Sequence, residues 1–332
     1  THSMNSPQFF YALRWLIHDT VRQARSSAVF WLMLGVSAIA ILGCLSIGVQ
    51  GAVPLKHGVD LPEFLPRGAR VDREKAAHSG VDVVGGELTI GFGLVHIELG
   101  RDAEDAVRFV QLLLVGGVAD TAGILFALLW TAGFLPSFLE AGSLSVLLAK
   151  PVPRGLLLFG KFLGVLLFVV AQMSIFVVGT WLALGIRTGV WNPLYLMSIP
   201  VLLLHFAVFF SFSALLAALT RSTLLCMLGT LAFWFVCWSV NFGYLSALAQ
   251  DHESMAAGQQ FVMLSYLILP KPANLNFMLQ ELVQSAGFFR RVPELANLRW
   301  ETIGPIGTVM TSLLFIGVVL TLAGRRLRMA DY

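Results

Sequence analysis

Two ionisable side chains lie inside long apolar runs of this sequence. Asp120 lies in VGGVADTAGILFALL, and His205 lies in VLLLHFAVFF. A charge at the centre of a lipid bilayer costs at least about 2.5–3.5 kcal/mol, so Asp120 is expected to face protein or water. Gly116 and Gly123 share its helical stripe, which indicates a closely packed helix, for example from a second copy. A structural hydrogen bond and a role in the pathway or in proton coupling both stay open for Asp120.

Hydrolytic and nucleotide chemistry have weak support in the sequence. An intramembrane aspartyl protease needs two carboxylates in its spans, and a serine type needs a partner for His205 that the sequence does not supply. The stretch GLLLFGKF at residues 155–162 resembles a phosphate-binding loop, but Phe162 stands where Ser or Thr must reach magnesium. Gly160 and Gly164 are better explained as a small-residue packing pair. We predict no catalytic residue, no metal site and no cofactor bound by this chain.

The elements that must position these residues are membrane helices. Hydrophobic residues make up 57% of the chain and charged residues 12%, whereas soluble domains average about 25% charged. Six segments reach the roughly 20 apolar residues that a span needs, and an amphipathic stretch with Phe9, Leu13 and Arg14 precedes them. We therefore predict an all-α integral membrane protein, with six spans after an interfacial helix and a small extracellular region. A net charge of +3 gives no reason to expect nucleic acid.

The segments divide the chain along its length. The predicted divisions are the amphipathic helix 1–28, the spans 29–49, 109–135, 162–184, 194–219, 223–247 and 303–323, the extracellular loop 50–108, the cytoplasmic loop 136–161, outer or re-entrant helices in 250–301, and a cytoplasmic tail 324–332. In the first outer loop, VDVV and ELTI flank Gly85-Gly86, which predicts a two-residue β-hairpin turn there. In the second, FVMLSYLIL is too short to span and is expected to form an interfacial or re-entrant helix, followed by an amphipathic helix near 276–283.

Charge predicts the orientation of the spans. With the N-terminus inside, the inner segments carry ten Lys or Arg and only three Asp or Glu. Short flanks decide orientation by the positive-inside rule, and long loops count little. We therefore expect a multi-pass protein of the cell inner membrane with both termini in the cytoplasm.

The cytoplasmic loop after the second span carries the most informative pattern. Its sequence is PSFLEAGSLSVLLAKPVPRGLLLFGKFLG from residue 136. Residues 143–149 can form a short helix, which KPVPR ends rigidly. This order resembles the ATP-binding-cassette permeases of the second type, in which such a loop couples the membrane subunit to a separate ATPase. The resemblance implies a coupling segment made of Glu140, Leu144, Leu147, Leu148, Lys150, Pro151, Arg154 and Lys161.

The same resemblance implies the partners and the function. The chain would be a permease subunit, and an exporter, that forms a homodimer or pairs with a second permease among membrane lipids. ATP and magnesium would bind in the partner ATPase. Residues assigned to the pathway or the dimer interface are Gly116, Asp120, Gly123, Trp234, Trp238 and Asn241, of which the last three share a helical face. Their apolar and aromatic character favours a lipidic or amphipathic cargo.

Other classes of function stay open from the residues alone. A membrane scaffold or an ion-driven secondary transporter would also have six spans, although secondary transporters usually show repeats or broken helices at the midplane. An intramembrane enzyme is the third alternative. An associated ATPase would distinguish the permease from all of these.

Overall fold

A computed structural model describes residues 14, 18–23, 25–54, 84–99, 103–138, 154–249, 257–283 and 304–329. Within these ranges six helices are long and apolar enough to cross a membrane. They are Ala28–Ser46, Ala106–Ser137, Gly155–Thr188, Pro193–Thr220, Thr223–Leu245 and Pro305–Met329. The predicted all-α membrane fold with six spanning helices is confirmed.

The helices follow one another in a simple order, and one of the spans changes its helical type along its length. In chain order they are α1 (Ala28–Ser46), α2 (Ala103–Leu112), a π-helical segment (Leu113–Gly123), α3 (Ile124–Thr131), α4 (Phe134–Phe138), α5 (Arg154–Thr188), a 3₁₀ turn (Pro193–Met197), α6 (Ser198–Thr220), α7 (Thr223–Ala249), α8 (Ala257–Ile268), α9 (Pro272–Val283) and α10 (Pro305–Met329). The second span thus comprises α2, the π-helical segment, α3 and α4.

The core of the helical bundle is built around α6. Two thirds of its span (67%) is buried inside the protein, against 11% for α1 and 17% for α7. Its large side chains Phe206, Phe209 and Phe210 are fully buried, and the ring of Phe210 stacks on that of Phe162 in α5. Helices α5, α7 and α10 pack around it. Such an arrangement leaves α1 and α7 as apolar surfaces that face lipid or another subunit.

Three strands form a small sheet next to the C-terminal end of α1. The strands β1 (Gly48–Pro54), β2 (Val84–Ile90) and β3 (Val95–Leu99) pair antiparallel in that order. Gly48 pairs with Thr89, and Val95 pairs with Ile90. A Cβ atom at Gly48 would lie 2.5 Å from Thr89 Oγ1, so this close strand approach requires glycine.

The sequence predicted a hairpin in this region but placed its turn wrongly. Gly85 and Gly86 lie inside β2, paired with Val53 and Leu99. The turn instead comprises residues 91–94, where Gly91, Phe92 and Gly93 all have positive φ. The backbone N–H of Phe92 donates to Ser46 O at the end of α1. This contact fixes the position of the turn, and the sequence of residues 91–94 does not match a two-residue hairpin turn.

Two short helices follow the fifth span. Helix α8 contains most of the FVMLSYLIL stretch, and α9 begins at Pro272, directly after Lys271. Proline suits the first helical position because its missing N–H would lack an intrahelical partner there. Most of the α9 side chains are buried against neighbouring helices. Helix α9 is therefore an integral part of the bundle.

Candidate functional site

The π-helical segment of the second span places Asp120 toward the interior. In a π-helix each N–H bonds five residues back, a rare arrangement that is frequent at functional sites. The N–H of Ile124 donates to Ala119 O, and Thr121 Oγ1 donates to the carbonyl of Gly116 at 3.2 Å. The segment is rich in small residues, which leave room for the wider helix. Its wider turn carries Asp120 inward while Thr121 faces outward.

Asp120 joins three elements of the chain through both of its carboxylate oxygens. A hydrogen bond of 2.6 Å connects His205 Nδ1 of α6 with Asp120 Oδ1. Asn276 of α9 donates through Nδ2 to Asp120 Oδ2 at 2.7 Å. Gln280, one turn further along α9, donates to Asn276 Oδ1 at 2.9 Å. The partners of Asp120 thus come from its own chain, and His205 has the partner that the sequence did not reveal.

This polar cluster is shielded from the surroundings. Asp120 is 3% exposed and His205 is 2% exposed. His205 Nε2 is buried and has no hydrogen-bond partner within the described ranges. Breaking a buried pair by removing one partner is costly because the other is left uncompensated. The cluster can therefore hold the second span, α6 and α9 in one arrangement.

A second polar network lies on another side of α9. Asn274 donates through Nδ2 to Tyr266 OH at 2.8 Å and to Thr308 Oγ1 at 3.2 Å. It accepts from Asn241 Nδ2 at 2.9 Å, and Asn241 Oδ1 accepts from the N–H of Ala273 at 2.7 Å. The ammonium of Lys271 lies 4.5 Å from the centre of the Tyr266 ring. The network connects α8 and α9 to the fifth and sixth spans.

Replacing Asn274 by Leu should release this network. Asn274 is fully buried, and each buried polar group left unpaired costs about 1–3 kcal/mol. We expect Asn274→Leu to lower the free energy of unfolding by about 2–3 kcal/mol. The measurement is the unfolding temperature in detergent, read from the folded fraction that remains on size-exclusion chromatography after heating.

The control replaces another amide side chain by Leu, six residues further along α9. Gln280 is half-buried and makes one hydrogen bond through its side chain, to Asn276. Gln280→Leu should therefore leave the unfolding temperature within a few degrees of wild type. Equal destabilisation by the two variants would show that the Asn274 network does not hold α9.

Lys161 connects the amphipathic N-terminal segment to the third span. It is 1% exposed, and its Nζ lies 3.2 Å from Asp19 Oδ2 and 2.8 Å from Gln23 Oε1. A Cβ atom at Gly164 would lie 2.8 Å from Thr20 Oγ1. The absence of a side chain at Gly164 therefore lets the N-terminal segment contact α5. The side of the N-terminal segment that carries Asp19 and Thr20 therefore packs on α5, where Lys161 pairs with Asp19.

Most of the predicted coupling segment lies outside the described residues. This holds for Glu140, Leu144, Leu147, Leu148, Lys150 and Pro151. Arg154 begins α5, and Lys161 lies two turns further along the same helix. The coupling assignments of these residues stay predictions.

The residues predicted for the pathway or the dimer interface separate into different surroundings. Gly116 and Asp120 meet through Asn276, which also approaches the Gly116 carbonyl at 3.4 Å, while Gly123 ends the π-helical segment. Asn241 is buried in the Asn274 network. Trp238, in contrast, is 40% exposed. Trp234 packs partly buried against the core, so the two tryptophans and Asn241 do not form one surface.

Sequence reasoning missed the polar residues of α9. Asn274 and Asn276 stand two positions apart, so on a helix they point in different directions. Each faces one of the two networks described above. Polar side chains recurring in the apolar stretch PANLNFMLQELV were the available signal. The sequence predicts that this stretch belongs to an outer loop, so it gives no reason to pair these amides with Asp120.

The donor groups of this site do not form a metal centre. Across the described ranges, no three side chains of the types His, Cys, Asp and Glu gather closely enough to hold an ion. The carboxylate of Asp120 is instead occupied by an imidazole and an amide. These two hydrogen bonds position the second span against α6 and α9.

Comparison with known proteins covers nearly the whole chain. The sequence model of a protein family, described as ABC-2 family transporter protein, matches residues 19–328 of this chain. No curated protein matches the chain. The matched range contains five candidate spans whole, all but the last residue of the sixth, the π-helical segment and α9. The chain therefore belongs to the ABC-2 transporter family and is a multi-pass membrane permease.

Proposed function

We propose that this chain is the membrane subunit of an ATP-driven exporter, in which two permease chains pair and a separate ATPase supplies the energy. The observation that carries the proposal is the family match over residues 19–328. A permease of this kind moves cargo by alternating between conformations, so its helices must respond to a stroke delivered from the cytoplasm. In this assignment the partner ATPase binds ATP and magnesium.

In this proposal the coupling segment, residues 140–161, transmits the conformational change of the ATPase to the membrane helices. Its last residue, Lys161, pairs with Asp19 of the amphipathic segment at 3.2 Å. A displacement of the coupling segment would reach α5 directly and the N-terminal segment through this pair, in which Lys161 is buried and Asp19 is 45% exposed. The two elements would then move together, because a separation leaves a buried ammonium uncompensated.

Pairing of two permeases is assigned to the apolar helices at the edge of the bundle. The spans of α1 and α7 are 11% and 17% buried within one chain. Many of their large apolar side chains are exposed, among them Trp31, Ile39 and Phe235. A second permease chain would cover part of this surface, and lipid would cover the rest.

Orientation provides the first test of the proposal, because the ATPase can reach the coupling segment only from the cytoplasm. Single cysteines at Ala69 or Ser79 should react with an impermeant thiol reagent in intact cells of the host. Cysteines at Ser145 or Met329 should react only after permeabilisation.

The wild-type chain is the control, since Cys44, Cys226 and Cys237 are all buried. Labelling of Ser145→Cys from the outside would place the coupling segment on the wrong side and overturn the proposal.

A further inference from the structure

An apolar cavity lies between α1 and the second span, with α5 as its floor. Its volume is about 200 Å³, larger than an engineered apolar cavity of about 150 Å³ that accepts benzene. Its walls include Val36 of α1, Ala119 and Phe126 of the second span, and Met173 of α5. Two of these lining side chains, Val36 and Phe126, are 45% and 55% exposed, so the cavity opens at the surface of the bundle.

One end of the cavity is lined by Trp130. Trp130 Nε1 donates to Ser27 Oγ at 2.8 Å, which joins the second span to the start of α1. The rings of Phe30 and Trp130 both pack on Phe168, with centroid distances of 5.4 and 5.0 Å. A molecule in the cavity would therefore meet the side chain of Trp130 at this end, and the packing on Phe168 keeps that side chain in place.

Two polar side chains, Ser37 and Gln172, stand among the apolar residues that line the cavity. Gln172 is 6% exposed and donates through Nε2 to Ser37 Oγ at 3.1 Å. Ser37 in turn donates to Met33 O at 2.9 Å. Because the hydroxyl hydrogen of Ser37 is thus committed, Gln172 must present its N–H to Ser37, which fixes the orientation of the amide.

The orientation leaves one acceptor without a donor. Gln172 Oε1 is buried and has no hydrogen-bond partner in the part of the chain that the structure describes. An unpaired buried acceptor is unfavourable, and a bound molecule carrying a donor would remove that penalty. Ser37 lies nine residues from each end of α1 (Ala28–Ser46), so the acceptor stands near the middle of the span.

We infer that this cavity binds a slender apolar molecule that carries one neutral hydrogen-bond donor, such as the hydroxyl of a lipidic alcohol. The donor would bond Gln172 Oε1, and the hydrocarbon would fill the space between Val36, Phe126 and the aromatic end. The lining residues contain no carboxylate, and an unpaired ammonium in such surroundings would be strongly disfavoured. As a cargo site this inference rests on the proposed export function, whereas the binding itself does not.

The site shares a wall with the Asp120 cluster. Val118, Ala119, Ala122 and Gly123 of the π-helical segment line the cavity, while Asp120 between them points to His205. Leu202 of α6, one turn before His205, lines the cavity as well. Occupancy of the cavity would therefore act on the same π-helical turn that the polar cluster holds.

Photolabelling of the full chain in phosphatidylcholine vesicles tests the site. The probe is an octanol that carries a photoactivatable diazirine, and the matched control is the corresponding octane without the hydroxyl. We expect saturable labelling by the alcohol within residues 32–37 or 118–130, competed by excess octanol. Gln172→Met keeps the volume and removes the acceptor, so it should weaken binding of the alcohol about fivefold to tenfold and leave the hydrocarbon unchanged.

Val36→Trp fills the cavity and should abolish labelling. Ile39→Trp adds the same bulk on α1 outside the cavity lining and should not. Equal labelling by alcohol and hydrocarbon, or an unchanged affinity in Gln172→Met, would overturn the inference. An ATP-driven complex with an unlabelled cavity would overturn this inference alone, and a labelled chain that retains no ATPase would count against the proposed function alone.

Discussion

Replacing both Leu144 and Leu147 by Asp is expected to separate the permease from its ATPase and to abolish transport. On the predicted helix 143–149 these leucines and Leu148 share an apolar face suited to a groove in the partner. Burying a carboxylate in such a groove without a counter-charge costs several kcal/mol, which corresponds to at least about a hundredfold loss of affinity. The measurement is retention of the ATPase when the tagged permease is purified from membranes.

The matched control adds the same two charges elsewhere on the same short helix. At helical spacing Val146 and Ala149 lie on the side away from the leucine face, so Val146→Asp with Ala149→Asp should keep the ATPase bound. Both double variants should insert and fold as wild type does, because neither changes a residue of the six spans. A leucine variant that still retains its ATPase and transports would remove the coupling assignment.

Replacing Asp120 by Leu is expected to prevent stable assembly of the bundle. His205 and Asn276 would lose their shared partner while fully or largely buried. Each buried polar group left without a partner costs about 1–3 kcal/mol, and two such losses are a large part of the roughly 5–15 kcal/mol that stabilises a typical protein. The amount of monodisperse protein extracted in mild detergent, and its unfolding temperature, measure the effect.

The conservative variant distinguishes a structural role from proton coupling. Asp120→Asn keeps the shape and can still bond both His205 and Asn276, so we expect a mild effect on stability and on transport. Thr121→Val, at the lipid-facing neighbour, should behave as wild type. A folded Asp120→Asn protein without transport would instead assign Asp120 to the transport mechanism, against the structural role.

The spans were predictable because their signal is additive over about 20 residues. Six apolar runs sufficed, and errors of a few residues at their ends do not change the fold. The hairpin turn was not predictable in the same way. Gly85-Gly86 matched a common two-residue turn, whereas the observed turn at residues 91–94 depends on contacts with Ser46 that exist only after α1 has folded.

The candidate site was predictable only in part. Asp120 was recognisable because an acid in an apolar run requires a partner. Its partners were not, since His205 and Asn276 lie 85 and 156 residues away in the sequence. The cavity acceptor was likewise invisible, because the free atom of Gln172 depends on where Ser37 donates its hydrogen. Long-range hydrogen bonding of this kind leaves no periodic pattern in a single sequence.

One measurement tests the proposed function most directly. The tagged chain is purified from native membranes in mild detergent, its partners are identified by mass, and the complex is reconstituted into vesicles. We predict a complex of two permease chains with a separate ATPase, whose ATP hydrolysis drives a lipidic alcohol across the membrane. A stably folded chain that carries no ATPase, or a complex whose transport is indifferent to ATP, would contradict the proposal that this permease is an ATP-driven exporter.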